Sequence, residues 1–150
     1  MSIRYERNPP LSNEDLGDLL APDVPASGRD DYSRVLAHSL LWIGAFDRDT
    51  LVGYCNVAWD GGVHAFLLDP TVRGEYRRQG IGTALVRAAL SATAEHEKLQ
   101  WVHVDALPEL MQRFYSPAGF RSTAAGLVWL DDLRSAPKRE ALQTPTRVEE

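Results

Sequence analysis

The feature that most constrains this chain is Arg77-Arg78-Gln79-Gly80-Ile81-Gly82-Thr83, which lies between a strand-like run and the longest helical stretch. Two glycines let the backbone curl tightly, so successive N–H groups converge on an anion. The helix that follows points its positive end at the same spot. Arg77 and Arg78 add charge, and Thr83 adds a hydroxyl. This is a site for a phosphate or a pyrophosphate. A P-loop needs a Lys directly after the last glycine of a longer loop, whereas Thr83 follows Gly82 here. A dinucleotide fingerprint starting at Gly80 needs Gly or Ala at Leu85, and its strand normally runs straight into the first glycine. Neither fits.

Hydrophobic periodicity sets the elements around this loop. Ile3 to Arg7 alternates apolar and charged residues, which predicts a short strand stopped by Asn8-Pro9-Pro10. Ser12, with Asp15 three residues later, predicts a helix start, and Leu16, Leu19 and Leu20 share one face. Residues 22–30 read as a loop, followed by a second helix over Asp31–Ser39. Strands are expected at Leu41–Phe46 and Leu51–Trp59, joined by the turn Asp47-Arg48-Asp49. Asp60-Gly61-Gly62 is a hairpin signal leading into a third strand, Val63–Val72. Pro70 inside that strand has no N–H for a ladder, so a bulge or splay is expected there.

Gly80–Lys98 predicts a long helix with Leu85, Ala89 and Ala92 on one side. A strand at Trp101–Asp105 follows, then a helix from Pro108 to about Ser116, closed by Gly119. Phe120 is expected to enter a last hairpin, with Leu127–Leu130 as its second strand. The order β-α-α-β-β-β-α-β-α-β-β predicts an α/β chain with a central mixed sheet and parallel neighbours near its middle.

Composition narrows the function classes. At 150 residues the chain is one domain long and can bury roughly 68–70% of its unfolded surface. Lys+Arg is 16 against Asp+Glu 21, a net charge of −5. A protein whose main task is gripping a nucleic-acid backbone normally shows a basic surplus, so no nucleic-acid partner is expected. Cys55 is the single cysteine, which excludes an internal disulfide framework and a Cys-rich zinc site. His38, His64, His96 and His103 lack ligand spacing, so no metal is expected. No apolar run approaches the roughly 20 residues of a membrane span, and Met1–Arg7 has no signal-peptide core. A cytoplasmic protein without a membrane partner is the expectation. Residues 135–150 are polar and read as a tail behind a domain of residues 1–134.

Val72-Arg73-Gly74-Glu75-Tyr76-Arg77-Arg78-Gln79-Gly80-Ile81-Gly82-Thr83-Ala84-Leu85 resembles the strand, turn, acyl-CoA loop and helix of the GNAT N-acetyltransferase family. Phe114-Tyr115-Ser116-Pro117-Ala118-Gly119-Phe120 is similar to that family's second signature, and the element order matches over about residues 3–130. Gly74 stands where the family usually has Pro, and Pro108 where many members have a cofactor-touching Asn. Ser116-Pro117-Ala118 replaces a more helix-favouring run, which predicts distortion in the last turn of that helix.

The resemblance implies the GNAT fold, with a splay between two parallel strands, and acetyl-CoA as the acyl donor. It places the pantetheine arm against the backbone around Val72. The pyrophosphate goes to the amides of Arg78, Gly80 and Gly82, in a loop that includes Arg77, Gln79, Ile81 and Thr83. Tyr115 is implied as the group nearest the thioester sulfur, and a homodimer is compatible with the family. For the proton on the acceptor amine, His64, Asp69, His103 and Asp105 are candidates, with Asp69 and His103 favoured. The leading reading is acetyl transfer to a primary amine of a small molecule or peptide, by direct attack on the thioester. The alternatives are O- or longer-chain acyl transfer, and a non-catalytic CoA-binding module on the same fold. The net charge leans toward a cationic acceptor such as a polyamine, an aminoglycoside or a lysine side chain.

Overall fold

The alternating runs become one five-stranded sheet in a computed structural model that describes residues 2–135. Its strands are β1 (Ile3–Arg7), β2 (Ser39–Asp47), β3 (Thr50–Trp59), β4 (His64–Val72) and β5 (Trp101–His103), side by side in that order. β1 to β4 pair antiparallel, β2–β3 and β3–β4 through short turns and β1–β2 through the segment that carries two helices, and β5 joins β4 in parallel after a helical crossover. The mixed sheet expected from the element order is therefore present, but among the described residues its parallel pair lies at the edge rather than near the middle.

Each face of the sheet has its own cover. α3 (Ile81–Ala94) lies on one face and buries Leu85, Val86 and Ala89 against Ile43, Val52, Cys55, Val57 and Leu67. α1 (Asn13–Leu20) and α2 (Tyr32–Ala37) lie on the other, where Leu16 and Leu19 pack on Leu51 and Tyr54. The predicted start of α1 forms a reciprocal cap. Asp15 N–H donates to Ser12 Oγ at 3.1 Å, and Ser12 N–H donates to Asp15 Oδ2 at 2.9 Å. Losing such a cap costs about 1 kcal/mol.

Two irregularities shape the centre of the sheet. Pairing of β4 with β5 stops at Phe66 and His103, while β4 continues to Val72, so the two strands part beyond Phe66. On the other side of β4, Tyr54 pairs with Thr71 and Asn56 with Leu68, which sets Asp69 and Pro70 together against Cys55. This is the bulge that Pro70 demanded. Asp69 absorbs the extra residue with φ +50°, a left-handed backbone that Asp tolerates better than most residues.

The C-terminal part departs from expectation. α4 (Pro108–Leu110) continues as a π-helical turn, Met111–Tyr115, and a 3-10 turn, Ser116–Ala118, before Gly119 ends it at φ +108°. The proline and small residues of Ser116–Ala118 explain the tightened end; the wide turn before it was not foreseen. The last hairpin does not form: residues 120–129 hold no strand, and Leu130–Ser135 is a short helix, α5. Phe120 turns back onto Tyr115, with ring centroids 5.6 Å apart and its N–H on Tyr115 O at 3.3 Å. Ser122 to Gly126 offers almost no apolar surface to hold a strand, and Asp131 and Asp132 suit the first turn of a helix. α3 also stops short of Lys98 and β5 short of Asp105. Apart from Ser135, which ends α5, the expected tail lies outside the described residues. Among the described residues no helix is long and apolar enough to cross a membrane.

Candidate active site

The loop after β4 is fixed before it reaches the glycines. Arg73 N–H donates to Val52 O at 2.8 Å, and Arg73 Nε–H to Leu51 O at 3.0 Å. The Tyr76 hydroxyl donates to Asp47 Oδ2 at 2.7 Å, tying the turn Gly74–Tyr76 to the end of β2. That carboxylate acceptor raises the Tyr76 pKa above its ordinary value. Arg78 and Gly80 then take left-handed φ values of +64° and +82°. The first is costly for a residue with a Cβ, of order 1 kcal/mol or more. Such a conformation, repeated at two nearby positions, turns successive N–H groups inward. No side chain caps the α3 N-terminus at Gly80. Its first N–H groups keep their hydrogen-bonding capacity, and the helix field adds to it. Arg77, Arg78 and Gln79 are exposed around this point, and Thr83 is half-buried. This geometry fits a pyrophosphate.

Arg77 does more than supply charge. Its Nε–H donates to Val72 O at 3.0 Å. That is the backbone carbonyl expected to meet the pantetheine arm, and a carbonyl oxygen has a second lone pair for such a partner. Gln79 Nε2 donates to Glu75 O at 3.3 Å, which holds the turn shut.

Gly82 joins the loop to the tyrosine. A Cβ there would stand 3.3 Å from the ring of Phe114, so the start of α3 rests directly on that side chain. Phe114 in turn meets Tyr115 edge-on at 4.8 Å. Tyr115 is 6% exposed and belongs to the hydrophobic cluster beneath α3. Burial, followed by the neighbouring Cys55 thiol, raises its phenol pKa. The hydroxyl therefore stays protonated at neutral pH and can donate. Cys55 is fully buried, and its thiol is pushed up to about 12, chiefly by burial. It is a structural thiol that donates to Leu85 O at 3.8 Å.

Asp69 is exposed at the bulge. Its carboxylate lies near enough to Tyr54 to add to the burial that raises the Tyr54 pKa. Tyr54 packs with α1, whereas Tyr115 packs with α3 on the other face of the sheet. His103 closes the paired part of β5. Its Nε2 lies 2.9 Å from His64 Nδ1, and its ring stacks on Phe66 at 4.9 Å. One of the two ring nitrogens must donate to the other, which joins the histidines into one unit. Asp105 lies past the end of β5 and is exposed. The segment between α1 and α2 forms, with α1, a groove of about 580 Å³ bearing Glu14, Asp18, Asp30 and Asp31. Arg29 meets Asp18 there at 2.7 Å.

The sequence reading passed over Asn56. It is the one amide in the buried run Leu51–Val57, and it is 2% exposed. A lone Asn among strand-forming residues was the available signal, because Asn is depleted in strands.

Comparison with known proteins bears on the family and the fold. The family model described as "Acetyltransferase (GNAT) family" matches residues 10–120. Among solved structures, a GNAT-family acetyltransferase of Streptococcus pneumoniae is 26% identical, with a TM-score of 0.67 over 85% of this chain and 97% of that one. An aminoglycoside acetyltransferase from an uncultured soil metagenomic sample is 20% identical, with a TM-score of 0.62 over 86% of this chain and 98% of its own. The aminoglycoside enzyme AAC(6')-Iy, in complex with a bisubstrate analog built on CoA, is 16% identical, with a TM-score of 0.62 over 86% and 97%.

Proposed function

The chain belongs to the GNAT acetyltransferase family, and from that premise we propose that it transfers an acetyl group from acetyl-CoA to a primary amine of a small molecule or peptide. The observation that carries this reading is the uncapped start of α3, set at the mouth of the gap where β4 leaves β5. When bound, acetyl-CoA supplies an activated thioester carbonyl. In this reading the amides and side chains of residues 77–83 hold its pyrophosphate. The exposed edge of β4 near Val72 holds the arm.

An alkylamine has a pKa near 10.4, so at pH 7 only about one molecule in 2,500 is neutral. Asp69, or the joined pair His103 and His64, takes the surplus proton directly or through water. The amine attacks the thioester carbonyl to give a tetrahedral intermediate. Collapse of that intermediate expels the thiolate of CoA, and Tyr115 gives it a proton. The phenol is protonated at neutral pH and so holds a proton to give, although burial, which raises its pKa, makes it a weaker donor than a free tyrosine. The same reading takes the chain to act in the cytoplasm and carries over a homodimer from the family, which light scattering tests.

Release of CoA thiol with a panel of amines tests the reaction, and thermal unfolding tests the donor site separately. A ligand at 100 times its Kd stabilises by roughly 2.7 kcal/mol, which raises Tm by several degrees at about 2–4 °C per kcal/mol. A melting shift without turnover of any amine would favour a binding module over an enzyme. No shift at millimolar acetyl-CoA would end the reading altogether.

A further inference from the structure

Among the described residues, Asn56 Oδ1 is the buried side-chain polar atom left without a hydrogen-bond partner. Its orientation is fixed by its neighbours. Ser39 Oγ gives its one proton to Val35 O at 2.8 Å. It can then only accept from Asn56, and Asn56 Nδ2 donates to it at 3.0 Å. Turning the amide over would set one oxygen against another with no proton between them. Oδ1 is thereby held as a free acceptor, and a buried carbonyl of this kind normally has a partner.

The surroundings say what that partner is. Asn56 lines an open groove of about 420 Å³ between α2 and the sheet, with Arg34, Val35, His38, Ser39, Ala58 and Leu68. Val35, Ala58 and Leu68 make its walls largely apolar. No carboxylate lines it, and Arg34 is the charged group, so a second ammonium would meet like charge and no counter-ion. Leu68 is the direct partner of Asn56 in the β3–β4 pairing, and the far edge of β4 borders the gap. With strands about 4.8 Å apart, the groove lies about one strand's width from that gap. An acceptor lying across Leu68 spans both.

We propose that Asn56 determines acceptor specificity: Oδ1 is closed off in this conformation, and a local shift on acceptor binding opens it to accept a hydrogen bond from an uncharged hydroxyl or amide N–H carried by an amine with an apolar body. This rests on the acyl-transfer reading above and narrows it. It turns away from the polycationic acceptors that net charge alone suggested.

The test compares ω-hydroxyalkylamines of three to six carbons with plain alkylamines of equal length, and with spermidine, by kcat/KM. The parent protein is expected to favour the best hydroxylated acceptor over its plain counterpart by at least tenfold, about 1.4 kcal/mol. Asn56→Leu is expected to bring that ratio close to one. Ser39→Ala, which frees the amide to turn over, is expected to reduce it part of the way. A melting shift with acetyl-CoA in each variant reports that the fold and donor site are intact. Should Asn56→Leu not fold, the ratio in the parent still decides. Parity there, or a preference for spermidine, overturns the proposal and leaves a water as the partner of Oδ1, while the acetyltransferase reading stands. If the parent turns over no amine at all, both fall.

Discussion

In the proposed reaction the chemistry turns on Tyr115, and its burial makes a clean test available. Tyr115→Phe keeps the ring and its contacts with Phe114 and Phe120 and deletes only the donor. A kcat about 10²–10⁴ lower, with the acetyl-CoA melting shift retained, is expected in steady-state and thermal assays. A kcat within about threefold of the parent would show that the thiolate leaves unassisted. Asp69→Ala and His103→Ala are expected to lower kcat/KM and alter its pH profile. If neither does, the amine loses its proton elsewhere. Cys55 supplies a control. With its thiol pushed up to about 12, the folded protein is expected to resist iodoacetamide at pH 8 and to react once unfolded. Tyr115 could be singled out as a candidate in the sequence because it lies in a motif that the resemblance marks, and Asp69 and His103 because they lie on the strands expected to flank the reacting group. Asn56 was not, because its free oxygen depends on a proton that Ser39 commits to Val35 across two elements.

The elements that hold the donor site depend on two glycines for different reasons. At Gly80 the backbone has φ +82° and nothing crowds it, so Gly80→Val acts by backbone strain alone. At Gly82 the added side chain meets Phe114, so Gly82→Val displaces the tyrosine's neighbour as well. Both are expected to abolish the acetyl-CoA melting shift. Gly82→Val should also change near-UV circular dichroism from the aromatic cluster, and equal spectra would contradict the contact. The loop, the bulge at Pro70 and the splay could be read ahead because proline and glycine punctuate the chain by local sterics. The π-helical turn and the missing hairpin could not. The first, at Met111–Tyr115, has no local signal in the sequence; π turns of this kind often sit at functional sites. The second fails over Ser122–Gly126, which offers almost no apolar surface to hold a strand.

Across the whole molecule, three buried acids set the alkaline limit. Tyr54, Tyr115 and Cys55 all titrate higher in the folded chain than in the unfolded one, each mainly through burial. Groups with raised folded pKa values stabilise below their unfolded values and lose that contribution as pH rises. Denaturant unfolding is therefore expected to show level stability near pH 8 and a decline from about pH 9 upward, where free thiols and then free phenols ionise. A flat profile to pH 11 would mean that the burial is not retained in solution. The two covers of the sheet have a further consequence. Tyr115 and the nucleotide loop are anchored in the cluster under α3, whereas the groove at Asn56 is walled by α2, on the face that α1 shares. Substitutions on the α2 face can drift without disturbing the donor machinery, and energetic effects on the two faces should add. On the proposed reading, point changes in the six-residue α2 would exchange one acceptor for another while the reaction stays constant.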